Sequence, residues 1–534
     1  MKEKRSGLGG FLSYFYGNFI VLLLGFIQTP LVTRIMSTQE YGRTGMFEAA
    51  VSCIYIFAVL GLDQAYIRYY YRQGVDRRSL MVKCLLPPLF LVSLLVFLYY
   101  FMSTPANNWL FGRTSADITF LVAGYTIVSV FERFLFLDVR MQQNGRLYSN
   151  INIAQKLINI ILIFVFFNLF GDDFRVVLYA LTLSWASTTM FLALRYLFIK
   201  CGDGRPGKDA LQDSAVRKDA LQNDNSRKQC EIPEHELISY GLPFILILLM
   251  EWLLSSCDKI ALKTLSDYHE LGIYNAAMKI MVLLLTFKNT FLAYWSPVAM
   301  EKYESGDRDA AGFFRKAFDM VRFLCMLAAA GVIMLRNVVV LILGPDYRGA
   351  DSIIPFLTLM PIFAIMFEIT VQGMRFKKKN IFLNIASLAA IIVNICGNFL
   401  LVPVLGGTGA AVTTGVSYIM YFVVGSFFSE RFYPVGYDWG RTFLDAVLIV
   451  TYAAFATFSG TEILSAAVGL VLILLIFLIE RESLMKALEV LGEYAGKILR
   501  FAQDDSGAAQ EDSGAAQEDS GAAQGTVKNE DHKS

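Results

Sequence analysis

Charged side chains are scarce inside the long apolar stretches of this 534-residue chain, and the few that occur there are the ones able to do chemistry. An ionisable group in hydrocarbon is expensive, so each marks a candidate relay, pathway contact or ion pair. Glu251 and Lys279 sit deepest. They suit coupling to a proton or cation and attraction of an anion, respectively; the alternative for both is a salt bridge that only fixes packing. Glu132, Arg133, Lys156, Glu368 and Arg322 fall nearer the ends of their stretches, where they either line a mouth or snorkel to the interface. The neighbours Asp258 and Lys259 read as a gating pair or a structural one. Asp63 and Arg68 read as a gate contact or a surface anchor.

Other chemistries are poorly served. Seven cysteines (Cys53, Cys84, Cys201, Cys230, Cys257, Cys325 and Cys396) lie far apart with no CxxC pair, and the three histidines are dispersed, so neither a disulfide framework nor a metal site is expected. No Walker-type glycine loop offers a nucleotide site, and no other cofactor is implied. A net charge of +1 provides no field to attract nucleic acid.

The elements that must position these residues follow from composition. Hydrophobic residues make up 55% of the chain and charged ones 17%, against roughly 25% charged in an average soluble domain. The apolar residues come in blocks of about 20, long enough to cross a hydrocarbon core. Fourteen such blocks lie between residues 12 and 480, which implies an all-α integral membrane protein and excludes a soluble enzyme. The weakest blocks are the ninth (318–343), which carries Arg322 and Arg336, and the thirteenth (442–460), which starts near Asp445. The second is read as 47–67. The basic N-terminus runs into the first block, which is too long for a signal-peptide core and reads as a membrane span.

With the N-terminus placed inside, the inner segments up to the twelfth–thirteenth connection hold 26 lysines and arginines and the outer ones 6. This positive-inside bias puts both termini in the cytoplasm. The outer connections are too short to hold a catalytic domain. The expected organisation is a six-helix bundle over 1–199, a cytoplasmic linker over 200–235 and a second six-helix bundle over 236–430. Helices 13 and 14 follow over 431–480, then an amphipathic interfacial helix over 481–502 and a disordered repeat tail over 503–534.

The two bundles resemble each other. Arg34-Ile-Met-Ser-Thr-Gln-Glu-Tyr-Gly42 leads to Met46-Phe-Glu-Ala-Ala50, and Lys263-Thr-Leu-Ser-Asp-Tyr-His-Glu-Leu-Gly272 leads to Ile273-Tyr-Asn-Ala-Ala277. Each copy spans the membrane an even number of times, so the repeats are parallel, with a central cavity expected between them.

Thr33-Arg34, Glu40-Tyr41-Gly42, Gly61-Leu62-Asp63-Gln64-Ala65 and Arg68 resemble the opening of bacterial polysaccharide (O-antigen-type) flippases. These belong to the multidrug/oligosaccharidyl-lipid/polysaccharide exporter superfamily. Tyr240-Gly-Leu-Pro243, Asp258-Lys-Ile-Ala-Leu262, Leu271-Gly-Ile-Tyr-Asn-Ala-Ala277, Gly344-Pro-Asp-Tyr347 and Gly407-Thr-Gly-Ala-Ala411 continue the likeness in order, over roughly residues 11–430. The resemblance implies a flippase that turns a polyprenyl-pyrophosphate-linked oligosaccharide from the inner to the outer leaflet by alternating access, for export of a cell-surface polysaccharide. Its partners would be the lipid-linked oligosaccharide and membrane lipids, with glycosyltransferases and a polymerase of the same pathway as candidates. Lys279 would then attract the pyrophosphate, and Asp63 and Arg68 match the family's pattern. The alternatives are a sodium- or proton-coupled small-molecule antiporter of the same superfamily and a membrane polysaccharide polymerase.

Overall fold

A backbone in hydrocarbon has no water to bond to, so the apolar blocks must satisfy their amides internally as helices. In the computed structural model they do. The structure describes residues 2–479, apart from 73, 143, 203–231 and 306–308, with side chains over 16–478 except at 197–202, 290 and 293–294. The expected linker core, interfacial helix and repeat tail lie outside the described residues.

The first half comprises α1 (Lys2–Ile35), α2 (Thr38–Val59), α3 (Leu62–Tyr69), α4 (Arg77–Phe101), α5 (Ser103–Phe111), α6 (Ala116–Met141), α7 (Gly145–Phe170) and α8 (Arg175–Gly202). The second comprises α9 (Glu234–Leu265), α10 (Tyr268–Glu304), α11 (Ala310–Met334), α12 (Arg336–Val340), α13 (Ala350–Thr370), α14 (Gln372–Phe376) and α15 (Ile381–Phe432). After these come α16 (Trp439–Phe458) and α17 (Glu462–Ile479).

Among the described residues, eleven helices are long and apolar enough to cross a membrane, and α2 with α3 makes a twelfth span bent by 52°. The bend falls at Leu60 and Gly61, both with positive φ. The 52-residue α15 is two spans joined at Gly406, whose φ of 54° breaks the helix. Counting its halves separately and adding the apolar α17 restores the expected fourteen. Successive connections alternate between two membrane faces. The face where α1 begins is called the near face below, and the opposite one the far face.

The two weakest blocks are explained by each other. Arg322 of α11, fully buried, places its guanidinium 3.1 Å from Asp445 of α16 and 3.6 Å from Asp319. Thr442 accepts from it at 3.3 Å. Arg336 donates to Ser465 Oγ of α17 at 2.6 Å. The charges that weaken the two blocks as membrane spans are therefore the fasteners that hold α16 and α17 against the second half, and Arg322 is not a mouth residue. Removing one partner strands a buried charge, which typically costs about 3–5 kcal/mol, whereas replacing both with apolar residues is often neutral. Arg322→Met should therefore lower the melting temperature of the detergent-solubilised protein sharply. Adding Asp445→Leu to it should restore most of the loss, and equal instability of the double variant would contradict this reading.

Candidate functional site

The halves meet where α2 crosses α10, and close backbone approach fixes the crossing. A Cβ on Gly42 would sit 2.2 Å from the Tyr268 carbonyl oxygen, and one on Gly272 only 1.9 Å from that of Thr38. The contact is reciprocal. One constant offset relates Thr38 to Tyr268, Gly42 to Gly272, and Gly45 to Asn275, whose side chain occupies the space over Gly45. Glu40 and Glu270 obey the same offset and do the same job. Each accepts a backbone N–H from the connection between the fifth and sixth spans of its own half: Phe174 N at 3.1 Å and Gly407 N at 2.8 Å. The repeat read from sequence is thus present, but the Ala49-Ala50 and Ala276-Ala277 pairs are out of step with this register.

Further contacts close the far face. Thr38 Oγ1 bonds His269 Nδ1 at 2.6 Å, Lys263 lies 4.2 Å from the Trp109 ring centroid, and the Tyr268 hydroxyl donates to Leu110 O at 3.1 Å. The Tyr347 phenol, pushed above its ordinary pKa by burial, donates to Met36 O at 2.9 Å. At the near face the halves touch again, with Gly61 against Gly241 and Tyr69 donating to Glu236.

Between these two contacts lies the main polar cluster. Glu48 of α2, about 15 Å down its helix at 1.5 Å per residue, accepts from Lys279 Nζ of α10 at 3.0 and 3.1 Å. Lys259 Nζ of α9 approaches the same carboxylate at 3.8 Å. The Glu48 and Lys279 side chains remain 38% and 40% exposed, so water reaches them in the bilayer interior. Lys156 of α7 reaches over Gly25 of α1 and interacts electrostatically with both Glu48 and Lys279. Two lysines thus converge on one carboxylate with a third within electrostatic range, leaving an excess of positive charge between the halves.

Sequence reasoning missed Glu48. Reading the second span as 47–67 put it at the membrane edge, but α2 begins at Thr38 and Glu48 is half-way down. The available signal was Ser37-Thr38-Gln39-Glu40, an S-x-x-E pattern that marks a helix start ten residues earlier.

The remaining candidates separate. Asp258 and Lys259 do not pair. Lys259 turns to Glu48, while Asp258, 1% exposed, accepts from Tyr274 at 2.6 Å, Asn394 at 2.9 Å, Asn398 at 2.8 Å and Thr414 at 2.7 Å. Asn398 Oδ1 is buried there with no partner. This carboxylate among amides and hydroxyls is chemically able to take up a proton or a small cation. Glu251 is exposed and makes no ion pair with Lys279. It shares with Ser255 the side of α9 between the Trp252 face, which donates to Ala49 O of α2 at 3.0 Å, and the buried Leu254–Asp258 face. That side looks into the gap between the halves.

Asp63 pairs with Arg133 at 2.6 Å, tying α3 to α6, while Arg68 stands exposed. Glu368 is held by Arg375 at 3.1 Å and Lys288 at 3.7 Å within the second half. Glu132 accepts from Gln155 and from Thr188 at 3.3 Å. It faces a chamber of about 450 Å³ enclosed by α2, α6, α7 and α8, which extends from Glu48 to Arg140.

A profile of the family described as "Polysaccharide biosynthesis protein" matches residues 8–302. The chain belongs to that family. Among curated proteins, the uncharacterized membrane protein MJ1068 of Methanocaldococcus jannaschii is 24% identical over 443 residues, covering 77% of this chain and 82% of its own. Among solved structures, the lipid II flippase MurJ in an inward closed conformation aligns with a TM-score of 0.60 and 14% identity, over 88% of this chain and 99% of its own. An inward-facing multidrug resistance MATE transporter of the MOP superfamily aligns with a TM-score of 0.50 and 18% identity, over 78% of this chain and 94% of its own. The chain therefore shares its fold with a flippase and a transporter, and crosses the membrane many times.

The glycine crossing is directly testable. Gly272→Val forces Thr38 away and should cost about 1–3 kcal/mol, read as a lower melting temperature. Gly331→Val, at a helical position with nothing within 4 Å, should leave it nearly unchanged. Equal effects would show that the close approach is not what holds α2 on α10.

Proposed function

We propose that this member of the family is a flippase, and that its cargo is an oligosaccharide joined through a diphosphate to a polyprenyl lipid. The reading rests on one observation: Lys259 and Lys279 converge at half depth between the halves on the single carboxylate of Glu48, with Lys156 within electrostatic range of Glu48 and Lys279. A diphosphate cannot enter hydrocarbon without counter-charges. It could displace Glu48 from the lysines, exchanging one carboxylate for two phosphate groups while the prenyl tail stays in lipid. Glu48 would then hold the empty site together between cycles.

The near face, which carries the excess of basic connections, is assigned to the cytoplasm of the plasma membrane, with both termini there. Admitting the cargo from the inner leaflet needs the near-face contacts to open, and releasing it to the outer leaflet needs the far-face ones to open instead, as the halves rock about the cluster. For energy coupling, Asp258 is the buried carboxylate suited to a driving proton or cation, and Glu251 is an acid on its approach.

In cells that make the glycan, Lys279→Gln should reduce surface polysaccharide about tenfold, the scale of one charge-assisted contact, with the protein still inserted at normal level. Glu251→Gln should reduce it less. The purified protein should bind inorganic pyrophosphate, and Lys279→Gln should weaken that binding to a similar degree. Normal export and normal pyrophosphate binding by Lys279→Gln would remove the lysines from the pathway. Resistance to cationic drugs conferred by the wild type, with no effect on glycan, would favour a multidrug-type antiporter instead.

A further inference from the structure

The chamber inside the first half differs in chemistry from the lysine cluster beside it. Two groups of rings lie toward its ends. At mid-depth Tyr125 packs against Phe47 at 5.3 Å and against Trp185 at 5.2 Å between centroids. Toward the near face Phe136 meets Tyr148 edge-on at 5.2 Å. Between them the wall offers mainly acceptors: the hydroxyl oxygen of Ser129, whose proton goes to Thr126 O, the amide oxygens of Asn152 and Gln155, and the carboxylate of Glu132; the Gln155 N–H groups are taken by Glu132 and Thr188, and one of Asn152's by Tyr148 O. Gln155 and Thr188 both bond Glu132 through Oε1, which fixes the carboxylate and leaves Oε2 for a ligand.

This lining does not suit an anion. Glu48 and Glu132 both face the chamber; of its two arginines, Arg133 is already committed to Asp63 at 2.6 and 3.1 Å, and Arg140 stands exposed at the near-face end, away from the ring group at mid-depth. Nor does it suit a lipid tail, which has no use for a carboxylate, two amides and a hydroxyl. Flat apolar rings combined with a row of acceptors match a ligand with apolar C–H faces and a belt of hydroxyls to donate, which is a neutral sugar. The volume of about 450 Å³ falls within the roughly 300–1,000 Å³ of small-ligand pockets.

Position completes the argument. Glu48 belongs to the chamber wall and also pairs with Lys279, so the chamber opens onto the lysine cluster. We infer that it is a sugar subsite, taking the neutral sugar residues adjoining the diphosphate of the cargo, with Glu132 as the oriented acceptor and the two ring groups as stacking platforms. The inference rests on the flippase reading and divides the labour within it: the lysines hold the charge common to all such cargo, and the first half reads which glycan is attached.

The test uses the full-length protein in detergent with two kinds of probe. Saturation-transfer NMR is run with a panel of neutral methyl pyranosides, and binding is measured in parallel with inorganic pyrophosphate. At least one pyranoside should receive saturation from the wild type. Glu132→Gln should weaken that signal about fivefold, the scale of one hydrogen bond. Ser129→Phe, which fills the chamber, should abolish it. Both variants should bind pyrophosphate as the wild type does, which also reports that they are folded. Absence of transfer to every pyranoside, or transfer indifferent to both substitutions, would overturn the sugar subsite while leaving the lysine-based reading standing. Failure of the wild type to bind pyrophosphate would instead count against the flippase reading itself and take the subsite with it.

Discussion

The arrangement depends on a charge problem at the middle of the bilayer. Glu48 and Lys279 belong to different halves of the molecule and meet where an unpaired charge would be untenable. Their pairing draws the halves together, but their exposure keeps them competent to exchange partners. A dry, fully buried pair would hold the halves permanently, and a fully solvated one would hold nothing. The pair also leaves the local charge unbalanced, because Lys259 and Lys156 add to the cationic side. An anion that carries more charge than one carboxylate is the partner this imbalance favours.

The fold separates charges that hold from charges that work. Arg322 and Asp445 are buried against each other and fasten α16 to the second half. Glu368, Arg375 and Lys288 form a closed set within that half, and Asp63 with Arg133 ties the bent end of the second span to the fourth. The lysine cluster, by contrast, spans both halves and stays wet. Glycine makes this possible mechanically: Gly42 and Gly272 let α2 and α10 touch backbone to backbone above the cluster, which places Glu48 within reach of Lys279.

The span count and parallel halves were legible in sequence because the bilayer imposes a single length on every apolar block. Lys279, Lys259 and Lys156 could be picked out individually, since any charge in such a block is conspicuous. Their convergence could not, because it depends on which faces of α7, α9 and α10 turn toward α2. Glu48 escaped for a different reason: hydropathy finds the apolar part of a helix, not its start, and mostly polar and small residues (38–45) precede the apolar run of α2. Asp258 looked like the partner of its neighbour Lys259, but adjacent residues on a helix point about 100° apart, and here they serve different helices. The chamber was invisible, because its wall draws on four helices distant in the chain.

The most direct measurement is transbilayer movement in proteoliposomes of a polyprenyl diphosphate carrying a fluorescent neutral oligosaccharide. The account predicts that wild-type protein speeds the exchange well above protein-free vesicles, and that replacing Lys156, Lys259 and Lys279 together with glutamine removes the acceleration from a protein that is still folded. Equal rates for wild type and the triple variant, or no acceleration by the wild type, would contradict it.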